Sequence, residues 1–419
     1  MPLGRRFAVL WSANALSNLA DGITFVSMPL LAASMTDDPR LVAGLATLYA
    51  LVRLLVALPV GVWVDRADRR TLMVTANLLR GGALVALALT VHLGISSLVV
   101  LYATMAVVGT LESMVDSAAV AMVPSLVDRD RLDTANSRIA AGQLIADELA
   151  GPPLGGFLFA LAAAAPVLAT GGLWALAGLV ALALPVRGSA RAPSDAMVPR
   201  PSVYAEARDG IVWLAHHRVV GSLALVGALA SVGYMLPFSI LVLVARERLG
   251  LDSTGYGLLL AFSALGGLLG SALAPRLRGR LGYRWTIVAS PALAAVTLTG
   301  LSLTRDPLVA GVLLALYILH AVVWSICALS LRQRLIPDGL LGRVGAAARV
   351  LGLLGLAIGS ALGGVLAAVD LVIPVVAGAV VFAGCCVLAA VTLRGDLTAD
   401  SPLHSEGHPV ADAPAEGHC

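Results

Sequence analysis

The amino-acid sequence predicts an all-α membrane protein whose twelve transmembrane helices form two pseudo-symmetric six-helix bundles. Three observations carry this expectation. First, hydrophobic residues make up 59% of the chain and charged ones 13%, with a mean hydropathy of +0.91, whereas soluble domains are roughly half apolar and about a quarter charged. Second, apolar runs near the length of about 20 residues that a spanning helix needs recur at 7–34, 41–64, 71–92, 96–126, 138–163, 166–186, 219–245, 254–275, 285–304, 308–330, 343–369 and 372–393. Third, the second half of the chain echoes the first.

The first run follows a basic flank, as in a signal peptide, but its apolar stretch continues past Asp21 to about Met35 and reads as a retained span. The break between the fifth and sixth runs rests on "AAAAP" ending at Pro166. A membrane barrel is not expected, because its strands would show short alternating segments rather than continuous apolar runs. The expected organisation is a first bundle over 1–186, a linker over 187–218, a second bundle over 219–394 and a disordered tail over 395–419. Within the linker, "SVYAEARDGIVWLAHH" aligns Val203, Ala207, Ile211 and Leu214 along one helical stripe, the pattern of a surface-lying helix.

All 28 basic residues are Arg. If the N-terminus is cytoplasmic, 21 of them lie on the cytoplasmic face, four on the other and three within spans. Such a bias fixes orientation. A multi-pass protein of the cell membrane with both termini cytoplasmic is therefore expected. The densest cluster is "GVWVDRADRR", 61–70, in the turn between spans two and three. The net charge of +3 is too small and scattered for a nucleic-acid partner, which needs a basic face on a soluble module. The four cysteines form no disulfide or zinc spacing. With no phosphate-binding loop and no Lys, ATP is not the direct energy source. No cofactor or metal is expected.

The internal echo is specific. "AMVPSLVDRDRLDTANSR" precedes a glycine-rich helix with "GPPLGG" (151–156), and "SLRQRLIPDGLLGRVGAAAR" precedes one with "GSALGG" (359–364). Many secondary transporters are built from two such halves, with the substrate near the midplane between them. Gly151 and Gly155 are four apart, as are Gly355, Gly359 and Gly363 and also Gly266 and Gly270, so each of these helices has a flat face that a neighbour can approach closely.

These motifs resemble those of the major facilitator superfamily. "GVWVDRADRR" resembles the superfamily's signature between spans two and three, and "GPPLGG" is similar to its span-five antiporter signature. With "IPDGLLGR", the pattern most resembles the twelve-span drug-efflux branch that includes macrolide exporters, over residues 7–394. Asp68 stands where many members have Gly, and span four lacks the Arg common in proton antiporters. The resemblance implies a monomer, and it implies gating and helix-interface roles for Gly61, Asp65, Arg66, Arg69, Arg70, Gly151, Pro152, Gly155 and Gly156. Asp65 would act as a latch facing the N-terminus of span eleven, where a carboxylate gains about 0.3–1 kcal/mol from the helix dipole.

Six ionisable residues fall at mid-span: Asp21, Arg53, Glu112, Asp116, Asp147 and Glu148. Each costs about 2.5–3.5 kcal/mol on insertion scales and is expected to face a bundle interior or a wet cavity. One arginine cannot neutralise five carboxylates, so at least one acid is expected to exchange a proton, with Asp21, a lone acid in span one, ranked first. Tyr234, Phe238, Tyr317, His320 and Trp324 are candidates for an apolar, aromatic substrate wall. The expected function is proton-coupled export of a small amphipathic or cationic organic compound by alternating access. The alternatives are a facilitator importing a small metabolite, a non-transporting sensor or scaffold, and an intramembrane enzyme. For the enzyme, no nucleophile or ligand set is visible.

Overall fold

The computed structural model describes residues 3–128, 131–185, 203–337 and 340–393; the linker stretch around 187–202 and the 395–419 tail lie outside them. Every element among the described residues is helical. In chain order these are α1 (Arg5–Met35), α2 (Pro39–Arg66), α3 (Arg69–His92), α4 (Leu98–Met122), α5 (Leu132–Leu161), α6 (Ala164–Ala181), α7 (Val203–His216), α8 (Arg218–Arg248), α9 (Ser253–Leu303), α10 (Pro307–Leu335), α11 (Leu341–Ala367) and α12 (Ile373–Thr392).

Eleven of them are long and apolar enough to cross a membrane, and α7 is the exception. The twelfth span is inside α9. Its 51 residues would reach about 75 Å at 1.5 Å per residue, far beyond a hydrocarbon core of about 30 Å. The run is divided at Gly282, whose φ of 72° and ψ of 172° belong to a region open to glycine and strained for other residues. The turn expected between two separate runs is thus reduced to one glycine. The break between α5 and α6 falls at Ala162 and Ala163, so Pro166 opens α6 within its first turn, where its missing N–H has no partner to lose.

Buried side chains show how the two halves meet. One apolar core runs through both, joining Met28, Leu31, Val42 and Trp174 of the first half to Ile240, Tyr256, Leu298 and Tyr317 of the second. These residues lie toward the face opposite the Arg-rich turns. Toward the Arg-rich face the cores separate: Phe7, Leu10, Met73, Met122 and Ala135 form one within the first half, and Val226, Ile287, Cys327 and Leu331 form another within the second. The spans therefore close together on one face and stand apart on the other.

Glycine makes the closed side possible. A Cβ on Gly156 of α5 would collide with the Ser253 carbonyl of α9, and one on Gly257 with the Pro152 carbonyl. A Cβ on Gly364 of α11 would lie 2.9 Å from the Arg40 Cα of α2. The same seam carries a hydrogen bond of 2.9 Å between the Thr47 and Ser360 hydroxyls. At its edge Arg246 donates to the Ala33 carbonyl at 2.9 Å and pairs with Asp37 at 3.4 Å.

Helix α7 docks on the second half differently from the expected stripe. Leu214 is buried with Val220, Ile336 and Val344, and a Cβ on Gly210 would overlap the Arg343 carbonyl group, while Ile211 is exposed. The side chains of Val203 and Ala207 lie outside the described set.

Close backbone packing can be tested by adding side chains. A Cβ on Gly151 would lie 2.6 Å from the Gly22 Cα of α1, whereas one on Gly172 meets nothing within 4 Å. Gly151→Val is expected to destabilise the protein by at least about 1–3 kcal/mol, the cost of overpacking, and Gly172→Val to be neutral, read by thermal unfolding in detergent. Equal melting of the two variants would contradict the α1–α5 contact.

Candidate functional site

The first half is built around a cation missing from the mid-span residues singled out in the sequence. Arg80, near the middle of α3, has no exposed side-chain surface. It pairs with Asp21 of α1 and lies 3.5 Å from Glu112 of α4. Its guanidinium sits 3.9 Å from the Trp174 ring centroid of α6, and Nη1 donates to Ser17 at 3.3 Å. Helical spacing brings the partners together: Ser17 and Asp21 are one turn apart on α1, as are Asn77 and Arg80 on α3 and Glu112 and Asp116 on α4.

The network continues through α2. Tyr49 donates its hydroxyl to Glu112 Oε1, and Arg53, one turn on, approaches the same oxygen at 3.7 Å and donates to the Tyr49 hydroxyl at 3.5 Å. Asp21 and Glu112 are therefore both engaged by cations. Asp21, a lone acid of span one in the sequence, is half of an ion pair, and setting Arg53 alone against the five acids leaves out Arg80. Applying the rule for intramembrane charges to "LLRGG" would have found it. Tyr49 and Trp174 carry no comparable signal, because an aromatic residue in a span is ordinarily packing or an interfacial belt.

The side chains of the other three acids make no ion pair or hydrogen bond among the described residues. Asp116 is exposed, and its electrostatic neighbours are Glu112, Arg80, Arg53 and Arg349 of α11. Asp147 and Glu148 lie in a single π-helical turn, Leu144–Ala150, immediately before "GPPLGG". Such turns are rare and are frequent at functional sites. The Asp147 backbone packs on Gly22. Glu148 is exposed, and a Cβ on Gly267 of α9 would lie 3.9 Å from its Oε2.

The aromatic candidates form a chain of stacked rings in the second half. Phe238 stacks on Tyr234 at 4.9 Å, Tyr234 on Tyr317 at 5.6 Å, and Tyr317 contacts His320 at 4.9 Å. His320 and Tyr317 are buried in the bundle with Phe382. Trp324 packs over Gly227. Phe238 makes a ring contact with the first half, 5.9 Å from Phe25.

Of the interface residues, Gly151, Pro152, Gly155 and Gly156 lie where α5 is squeezed between α1 and α9. Arg69 donates to the Ala121 carbonyl at 2.7 Å and Arg70 to the Leu182 carbonyl, fastening the start of α3 to the ends of α4 and α6. The side chains of Asp65 and Arg66 and the surroundings of Gly61, and with them the expected latch, lie outside the described set.

Removing Arg80 would leave buried carboxylates uncompensated, a loss of about 3–5 kcal/mol. Arg80→Met is expected to lower the melting temperature markedly, and adding Asp21→Asn and Glu112→Gln to restore part of it. An Arg80→Met protein as stable as the unmodified chain would contradict the network.

The profile of the transmembrane secretion effector family matches residues 2–408. The enterobactin exporter EntS of Shigella boydii serotype 4 (strain Sb227) is 26% identical over 374 residues, covering 86% of this chain and 85% of that protein. Among solved structures, a bacterial homologue of the iron transporter ferroportin in an inward-facing state superposes with a TM-score of 0.72 at 20% identity, covering 93% of this chain and 98% of that one. A bacterial homologue of the human lysosomal transporter Spinster, inward-facing and occupied, gives 0.71 at 13% identity over 93% and 96% of the two chains. The likeness to solved structures shows a shared fold, the relatives are transporters rather than enzymes, and the chain belongs to the transmembrane secretion effector family of major facilitator superfamily transporters.

Proposed function

We propose that the chain exports a small amphipathic or cationic organic compound in exchange for protons, by alternating access, and that this structure is its cytoplasm-open state. One observation carries the reading: the halves share a core on the face away from the Arg-rich turns and have separate cores on the Arg-rich face, with the unpaired Asp116 and Glu148 accessible between them. The positive-inside bias makes the separated face cytoplasmic. The family description as a secretion effector and the exporter among its relatives support the outward direction.

Proton exchange is assigned to Asp116. Asp21 and Glu112 are held by Arg80 and act in positioning, whereas Asp116 has no fixed partner, lies one turn from Glu112 and faces Arg349 of the moving half. Open to the outside, Asp116 takes up a proton from the acidic side; open to the cytoplasm, it releases that proton as substrate binds. A pH gradient, acidic outside, thereby drives the cycle in the export direction.

The test uses the full chain in proteoliposomes with an imposed pH gradient and a panel of organic solutes. Substrate-dependent collapse of the gradient is expected, and Asp116→Asn should reduce it at least tenfold while leaving solute exchange at equal pH in place. Gradient collapse in Asp116→Asn equal to that of the unmodified protein would remove the assignment. Absence of flux for every solute would remove the export reading.

A further inference from the structure

Between the halves, the gap ends in an apex with an unusual combination of groups. On the first-half wall is Glu148, exposed and without a cation. It does not point at its own bundle: Gly267 of α9 lies opposite, and Tyr234 of α8 is within its electrostatic reach. Gly266 and Gly270 are pressed against the Ala315 and Leu319 backbones of α10, whereas a Cβ on Gly267 would make only ordinary contacts, with the Ile318 and Val322 side chains at 3.4 and 3.6 Å and with Glu148 Oε2 at 3.9 Å. The missing side chain leaves room beside the carboxylate. One turn above, toward the closed face, Phe25 of α1 and Phe238 of α8 meet across the halves at 5.9 Å. Phe25 is 50% exposed, and Phe238 continues into Tyr234 at 4.9 Å.

We propose that this apex binds an organic cation, with its charged centre against the Glu148 carboxylate and its apolar body against the rings of Phe25, Phe238 and Tyr234. The inference rests on the export reading and narrows its substrate class. Three features select a cation. An unpaired carboxylate facing the gap is stabilised by an opposite charge brought beside it. Aromatic faces attract cations, by about 0.5–2 kcal/mol each. The adjoining residue of the same π-helical turn is a second acid, Asp147, and like charge repels an anion. Because the rings belong to both halves, the bound cation touches α1, α5 and α8 together, so binding is felt by both sides of the seam.

The test is equilibrium binding of tetraphenylphosphonium, a permanent cation with aromatic bulk, to the full chain in nanodiscs at fixed pH. Triphenylphosphine oxide serves as the neutral comparison. The unmodified protein is expected to prefer the cation at least tenfold. Glu148→Gln should weaken cation binding at least tenfold without altering melting temperature, because the side chain is exposed and the replacement isosteric. Glu148→Asp should retain binding to within about threefold, and Phe25→Leu should weaken it. Equal affinity for cation and neutral oxide, or unchanged affinity in Glu148→Gln, would overturn the proposal. Flux of neutral or anionic solutes with no flux of tetraphenylphosphonium would overturn it while leaving the export reading standing, and absence of flux for every solute would remove the export reading itself.

Discussion

The placement of Arg80 is the constraint on which the first half depends. A guanidinium with no exposed surface must have its charge met inside the bundle, and here this is done by Asp21 from α1 and Glu112 from α4, with Trp174 of α6 stacked on its plane. Tyr49 and Arg53 extend the hold to α2. Five spans are thereby tied at mid-depth by charge and hydrogen bonds rather than by apolar contact, which lipid does little to favour between helices. Arg80 Nε and Asn77 Nδ2 nevertheless have no acceptor among the described residues, so the site is held under electrostatic demand and is sensitive to any added or lost charge.

This division of labour gives meaning to the three acids left over. Two carboxylates are committed to structure, and Asp116, Asp147 and Glu148 face the other half or the π-helical turn of α5. That turn sits between the part of α5 nearer the Arg-rich face, which packs within its own half, and the "GPPLGG" segment, which is pressed on α9. A helix irregularity is thus located where α5 passes from one environment to the other. At the closed seam glycine meets backbone at Gly156, Gly257 and Gly364, beside an apolar core common to both halves that has to divide when they separate.

Much of the fold was legible in the residues. Runs of the right length located the spans, and the four-residue glycine spacing anticipated the close approaches, since Gly151, Gly155 and Gly156 each sit where a Cβ would strike a neighbouring backbone. The turn within α9 was not legible as a single positive-φ glycine, because composition places a loop only to within several residues. The electrostatics were half legible. Intramembrane acids stand out by their cost, but which of them are paired depends on rotations and depths that a linear pattern does not contain. Asp21 looked isolated because its partner is 59 residues away on another helix. The contact of His320 with Tyr317 of its own helix and with Phe382 of α12 is likewise a product of two helices meeting.

The central claim is that the seam opposite the Arg-rich face must part for transport. The hydroxyls of Thr47 and Ser360 meet across it at 2.9 Å, which places the two residues well for a disulfide. In a chain with its native cysteines replaced, Thr47→Cys with Ser360→Cys should cross-link on mild oxidation and stop flux, and reduction should restore it. A fully cross-linked protein that still transports at the uncross-linked rate would contradict the account.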